Sequence, residues 1–251
     1  MDEAGTRTSR TTCPSAKARP HSVAPSARLA RALSIVFLTC FVLFSTHVAH
    51  AADPATVTFS LDFPNSDPEH YSISVQSDGH AKYECTGRIS EDSEDRQTYQ
   101  TDFIISDATR VRIFDLAARA HYFSGKVDSG KKKLAFTGAK KLAYRDGQRE
   151  TTAAYNFSSQ PAVEQLTALF QSIGATLEFG RRLVHFHQYQ KLGLDDELKR
   201  MESQARSGEL AELQAVKPIL QAIYDDSSVM NVVRARAQRI MEIGNGLSAA
   251  R

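Results

Sequence analysis

Cysteine is scarce in this chain: of 251 residues only three are Cys, at positions 13, 40 and 85, and only Cys85 lies beyond the apolar N-terminal region. An intrachain disulfide after residue 51 is therefore excluded, and some two hundred residues can bury an adequate core without one. A lone thiol could pair between chains, but its place in a hairpin strand predicts burial. Charge of one sign is scarce as well, with 31 Lys and Arg against 29 Asp and Glu. Six of the basic and two of the acidic residues precede Ala52, so the remainder carries 25 against 27, a net charge near −2. No nucleic-acid footprint follows from such a balance, and no nucleic-acid partner is expected. Signatures of catalysis are missing too. There is no G-x-S-x-G elbow and no phosphate-binding glycine loop, since "FTGAKK" holds one glycine inside a strand pattern. No histidine pair stands at the i, i+4 spacing that binds zinc from a helix.

What is present begins with compartment. Residues 33–46, "LSIVFLTCFVLFST", form a 14-residue uncharged apolar run behind Arg7, Arg10, Lys17, Arg19, Arg28 and Arg31. "VAHAADP" follows, where Ala49 and Ala51 satisfy the small-residue rule for signal peptidase. The expectation is a signal peptide over residues 1–51, cleaved after Ala51, and a secreted or periplasmic protein. An uncleaved anchor is the alternative, because residues 32–52 could just cross a bilayer, which needs roughly 20 apolar residues. Either way the basic flank stays inside and the rest lies outside the cytoplasm. A lipoprotein through Cys40 is disfavoured, since the apolar run continues past it.

The first half of the remaining chain alternates with the period of two of half-buried antiparallel strands. Val57, Phe59, Leu61 and Phe63 share one face of "TVTFSLDF". Tyr71, Ile73 and Val75 do so in the next strand, and Ala81, Tyr83 and Cys85 in the one after. Asp78-Gly79 invites a two-residue turn, yet that turn would set Val75 opposite Lys82. Opposed residues point to the same face, so the apolar phase demands a three-residue loop, Ser77-Asp78-Gly79, with Gly79 left-handed. "QTYQTDFII" continues the sheet through Tyr99 and Phe103 after the acidic connection Ser90 to Arg96. Further on, Leu134, Phe136, Leu142 and Tyr144 stand at even positions but Tyr155 and Phe157 at odd ones. That parity predicts strands over about 133–145 and 148–157, an Asp146-Gly147 turn, Phe136 opposite Phe157 and Gly138 opposite Tyr155.

Two helices are expected beside the sheet. Ser106 caps "DATRVRIFDLAARAHYF", with Ile113, Leu116, Ala117 and Ala120 at helical spacing. Pro161 opens "PAVEQLTALFQSIGATLEF", with Val163, Leu166, Phe170, Ile173 and Leu177 in one stripe. From about 181 the pattern is wholly helical, broken at Gly193, at Ser207-Gly208 and over Asp225–Ser228, with Pro218 marking a bend or a helix start. The fold class is α+β: an antiparallel sheet of about five to six strands with two packed helices, then an all-helical C-terminal segment. The expected organisation is 1–51 signal peptide, 52–180 α+β domain and 181–251 helical segment.

The layout "YSISVQSDGHAKY", strand, "ATRVRIFDLAARAHYF", hairpin, "AVEQLTALFQSI", spanning about Tyr71 to Ile173, resembles a family of short exported bacterial domains of unknown function. Members often carry a cysteine pair ahead of the first hairpin strand, and this chain has none at Pro64 to Glu69. That family carries no known catalytic residues, so the resemblance implies none here. Separately, "AVKPILQAIYDDSSVMNVVRARAQRIM" resembles one helix pair of a HEAT-type repeat, through Pro218, Asp225 or Asp226, Val233, Arg234 and Ala237. A solenoid needs about three such repeats, so this is a packing similarity.

Each candidate for chemistry has a plainer reading. His185 and His187 flank Phe186, but on a helix their side chains diverge by about 200°; packing or solvated histidines are the default. His70 and His80 fall on the polar face of the first hairpin with Lys82 and Glu84. Asp195-Asp196 and Asp225-Asp226 sit at helix ends, where capping accounts for them. Lys131-Lys132-Lys133 and Lys140-Lys141 could meet an anionic surface, although strand edges also carry lysines to block aggregation. No catalytic, cofactor-binding or metal residue is assigned, and no cofactor is expected.

These residues favour an exported, non-enzymatic binding or structural protein with a possible envelope-protein partner. Membrane contact is expected only if the apolar segment stays uncleaved. Two other readings remain open. One is a periplasmic hydrolase or metal protein using His121, His185 or His187 with carboxylates. The other is a homo-oligomer joined through Leu210, Leu213, Val216, Leu220 and Ile223.

Overall fold

The computed structural model describes residues 53–89, 96–131 and 133–249. The apolar run at 33–46 with Ala49 and Ala51, residues 90–95 of the acidic connection, and Lys132 lie outside them. Six strands, β1 (Thr56–Asp62), β2 (His70–Gln76), β3 (His80–Arg88), β4 (Arg96–Ile104), β5 (Ala139–Arg145) and β6 (Glu150–Tyr155), form one sheet. Its order is β4-β3-β2-β1-β5-β6, antiparallel throughout. Among the described residues there are five α-helices: α1 (Asp107–Arg119) between β4 and β5, and, after β6, α2 (Pro161–Tyr189), α3 (Leu194–Ser207), α4 (Lys217–Asp225) and α5 (Asn231–Ala249). The fold is α+β, with most of its helix C-terminal.

Alternation does what it must in each strand. Val57, Phe59, Tyr71, Ile73, Val75, Tyr83, Cys85, Leu142 and Tyr144 are buried on one face, under α1 and α2. In the first hairpin Val75 faces Ala81, Ile73 faces Tyr83 and Tyr71 faces Cys85. The Gly79 amide closes the turn on Gln76 O at 3.0 Å with φ +98°, so the three-residue loop is what forms. Ser106 caps α1 through the Thr109 amide at 3.3 Å.

The second hairpin differs from its expected register. Leu142 faces Ala153, Tyr144 faces Thr151 and Lys140, not Gly138, faces Tyr155. Each pair is displaced by two residues, and the loop is Asp146 to Arg149. A shift of two leaves every side chain on its face, so the apolar pattern could not distinguish the two registers. The Asp146 carboxylate decides it, accepting from the amides of Gln148 at 3.1 Å and Arg149 at 2.7 Å. The strands are also shorter, since Gly138 turns at φ +94° and residues 134–137 leave the ladder.

Helix α1 ends at Arg119, short of the expected Phe123. His121, Tyr122 and Phe123 all have positive φ, at 50°, 52° and 64°. This reversal buries Phe123 and lays Tyr122 against Tyr144, ring centroids 4.5 Å apart. Helix α2 runs unbroken through the boundary expected at 180/181, and residues 52–251 form one compact unit. Its 29 residues span about 43 Å. One side packs on the sheet, with Phe170 stacked on Phe59 at 5.4 Å. The other receives the C-terminal helices, where a side chain at Gly180 would meet Val216 at 2.6 Å. Between two layers, residues 176–181 are buried all round. Pro218 stands in the first turn of α4, marking a helix start. Leu210, Leu213, Val216, Leu220 and Ile223 are all buried within the chain, so this stripe is covered by intrachain packing.

Candidate functional site

The singled-out histidines are scattered over the fold. His70 Nδ1 meets Asp62 Oδ1 at 2.5 Å on the open polar face of the sheet, and His80 begins β3 exposed, opposite Ile104. His121 is exposed in the left-handed turn after α1. On α2, His185 packs its ring 5.2 Å from Tyr189, while His187 Nε2 reaches Asp226 Oδ2 at 2.9 Å. Asp226 also takes Lys191 Nζ at 2.6 Å, and this lysine holds its carboxyl well below the usual carboxylate range. The arrangement clamps the end of α2 to the turn before α5. Asp195 meets Arg236 at 3.4 Å, and Asp225 accepts from Gln221 at 3.0 Å. Among the described residues no group of three His, Cys, Asp or Glu is placed to hold a metal ion.

Sequence reasoning missed a buried polar cluster where α2 crosses β3. Tyr83 Oη donates to Glu178, whose other oxygen takes Arg181 Nε at 3.0 Å and Nη2 at 2.8 Å. Arg181 Nη2 also donates to Arg88 O at 2.8 Å. Burial and the Glu178 carboxylate push the Cys85 thiol up to about 12, so it stays a protonated, non-nucleophilic packing group at neutral pH. Arg181, at 2% exposure, is the largest fully buried side chain here. The Glu178 carboxylate, the Arg88 carbonyl and Asp67 Oδ1 at 3.7 Å offset the desolvation of this charge through Nε and Nη2, while Nη1 is buried without a hydrogen-bond partner among the described residues. Two further buried carboxylates do similar structural work. Glu212 accepts from Ser106 N at 2.8 Å and Oγ at 2.7 Å, capping α1 from the C-terminal segment. Glu202 takes Arg236 at 2.9 Å and Arg239 at 2.9 Å, and these arginines, Arg239 foremost, hold its carboxyl down at about 2.

The unusual surface is the end of the sheet where β1 and β6 finish and β5 begins. Phe63, Leu134, Phe136 and Phe157 are exposed there, and Phe63 meets Phe136 edge-on at 5.9 Å. A slack loop would fold such groups inward, but this loop is pinned. Asn156 bonds it twice, Oδ1 accepting from Thr137 N at 3.2 Å and Nδ2 donating to Ala135 O at 3.1 Å. Lys140 lies in the core phase of β5, only 6% exposed, which overturns its reading as an edge or surface-contact lysine. Its ammonium donates to Thr137 Oγ1 at 2.8 Å, Thr137 O at 3.1 Å and Asn156 O at 3.1 Å. β5 is itself an inner strand, between β1 and β6. Lys140 falling in phase with Leu142 and Tyr144 was the available sign. Lys126, Lys131, Lys133 and Lys141 remain exposed, with Lys131 Nζ 5.8 Å from the Phe157 ring centroid. No protein family and no curated protein matches this chain.

Proposed function

We propose that the chain is an exported, non-enzymatic binding or structural protein of the cell envelope, and that the aromatic and basic end of its sheet is the binding end. Export rests on the apolar run at 33–46, its basic flank and the small residues Ala49 and Ala51. The resemblance of residues 71–173 to exported bacterial domains points the same way. One observation carries the binding reading: Leu134 and Phe136 stand 42% and 57% exposed on a loop that buried Lys140 and Asn156 hold in place. Exposed apolar groups rimmed by polar ones mark interaction sites.

The test has two arms. Native mass spectrometry on protein exported with its own N-terminus should return residues 52–251; a chain retained in the cytoplasm would end the export reading. A photoreactive phenylalanine analogue at position 136 should capture a partner in envelope preparations, whereas one at Val111, exposed on α1, should not. Equal capture at both positions, or none at 136, would sink the binding end.

A further inference from the structure

We infer that this end of the sheet docks on an anionic lipid bilayer. The inference rests on the binding reading above and names its occupant. Charge is the first argument. Residues 52–251 are net acidic, with 25 Lys and Arg against 27 Asp and Glu. Yet at this end Lys131 Nζ lies 5.8 Å from the Phe157 ring, Lys133 directly precedes Leu134, Lys126 lies beside Gly130 of the same loop and Lys141 stands exposed near the start of β5. The carboxylate within the same loop points inward. Asp128 accepts from Gly130 N at 2.6 Å and Asn156 N at 2.9 Å, and these amides hold it below the usual carboxylate range. The cations are all lysines, compact point charges suited to many shallow phosphate contacts rather than one bidentate partner. Each lysine near an anionic surface strengthens association by about fivefold.

Backbone chemistry is the second argument. A loop that dips into the headgroup boundary must satisfy its polar groups internally, because hydrocarbon offers no partners. Here the side chains of Asn156 and Lys140 take Thr137 N, Ala135 O and Thr137 O, while Ser129 N reaches Phe157 O at 2.9 Å. The backbone on either side of Phe136 is thus bonded from beneath while Leu134 and Phe136 stand out.

Flotation with vesicles tests this, using residues 52–251, a compact unit with its own continuous core and without the apolar run that would itself insert. Vesicles of phosphatidylcholine with two-fifths phosphatidylglycerol should float the protein at least tenfold better than phosphatidylcholine alone. Half-molar salt should release it. Leu134→Ser with Phe136→Ser, and separately Lys131→Glu with Lys133→Glu, should each cut flotation at least tenfold, while Val111→Ser leaves it unchanged and all variants keep the parent melting temperature. No flotation, or equal flotation on neutral vesicles, overturns the inference. Protein capture at position 136 without lipid binding would leave the binding end standing and the lipid assignment refuted. A concentration-dependent dimer abolished by the Leu134 and Phe136 changes would hand the face to a second copy of the chain.

Discussion

The two hairpins of the sheet use the same physics and answer differently to it. In β2–β3 the apolar phase and the turn chemistry converge on one register, because only a three-residue loop with Gly79 left-handed keeps Val75 over Ala81. In β5–β6 the same phase permits registers two residues apart, and the Asp146 carboxylate selects the four-residue loop. A burial pattern therefore determines register modulo two, and turn hydrogen bonds choose among what is left. Their anchors differ as well. The first hairpin is held from beneath by the buried Tyr83–Glu178–Arg181 chain, the second at its end by the Lys140 ammonium.

Deleting Asp78 strikes the comparison hardest. A one-residue loss in the first loop forces the apolar set of one strand outward or strains the turn, and should cost more than about 4 kcal/mol, beyond the usual range of single changes. Urea denaturation would read it, and a midpoint near that of the parent would refute the phase argument. Arg181→Ala should cost about 3–5 kcal/mol by leaving Glu178 buried without its partner, whereas Glu178→Leu with Arg181→Met should recover most of that loss. Hydrogen exchange should show amides around Tyr83 opening while those around Leu142 stay protected; simultaneous loss at both would mean the hairpins do not have separate anchors.

Lys140→Met strikes the other anchor. About 2 kcal/mol should go with the carbonyls of Thr137 and Asn156 left unpaired, and protection should vanish from 134–137 before it changes at 71–85. Deleting Gln148 and Arg149 together is the counterpart of the Asp78 deletion. Two residues preserve the side-chain phase, so the same pairs should form on an Asp146-Gly147 turn at a cost within about 1 kcal/mol. A further effect is one of pH, small near neutrality and growing as the solution becomes alkaline. The unfolded Cys85 thiol ionises near 9.0 and the folded one near about 12, so the folded state binds the proton more tightly. Stability tied to that proton is complete below about pH 9 and is lost as pH climbs towards about 12. Cys85→Ala should melt with a shallower alkaline slope than the parent; identical slopes would refute the shift.

Residue order by itself determined the strands, through a period of two, and the helix starts, through Ser106 and Pro161. These are local devices, and each was legible: the Ser77-Asp78-Gly79 loop from parity, the α1 stripe from spacing. Local pattern also misled where partners came from elsewhere. The Lys140 ammonium is buried because Thr137 and Asn156 converge on it, and α1 stops at Arg119 because Phe123 finds the core by a left-handed turn. Glu178 and Arg181 are buried as a pair only because Tyr83 and the Arg88 carbonyl of β3 meet them under α2. Glu212 caps α1 across 106 residues of chain. Tertiary structure alone decided these, since desolvation and charge pairing depend on which distant groups arrive at a site, and no window of neighbouring residues contains that information.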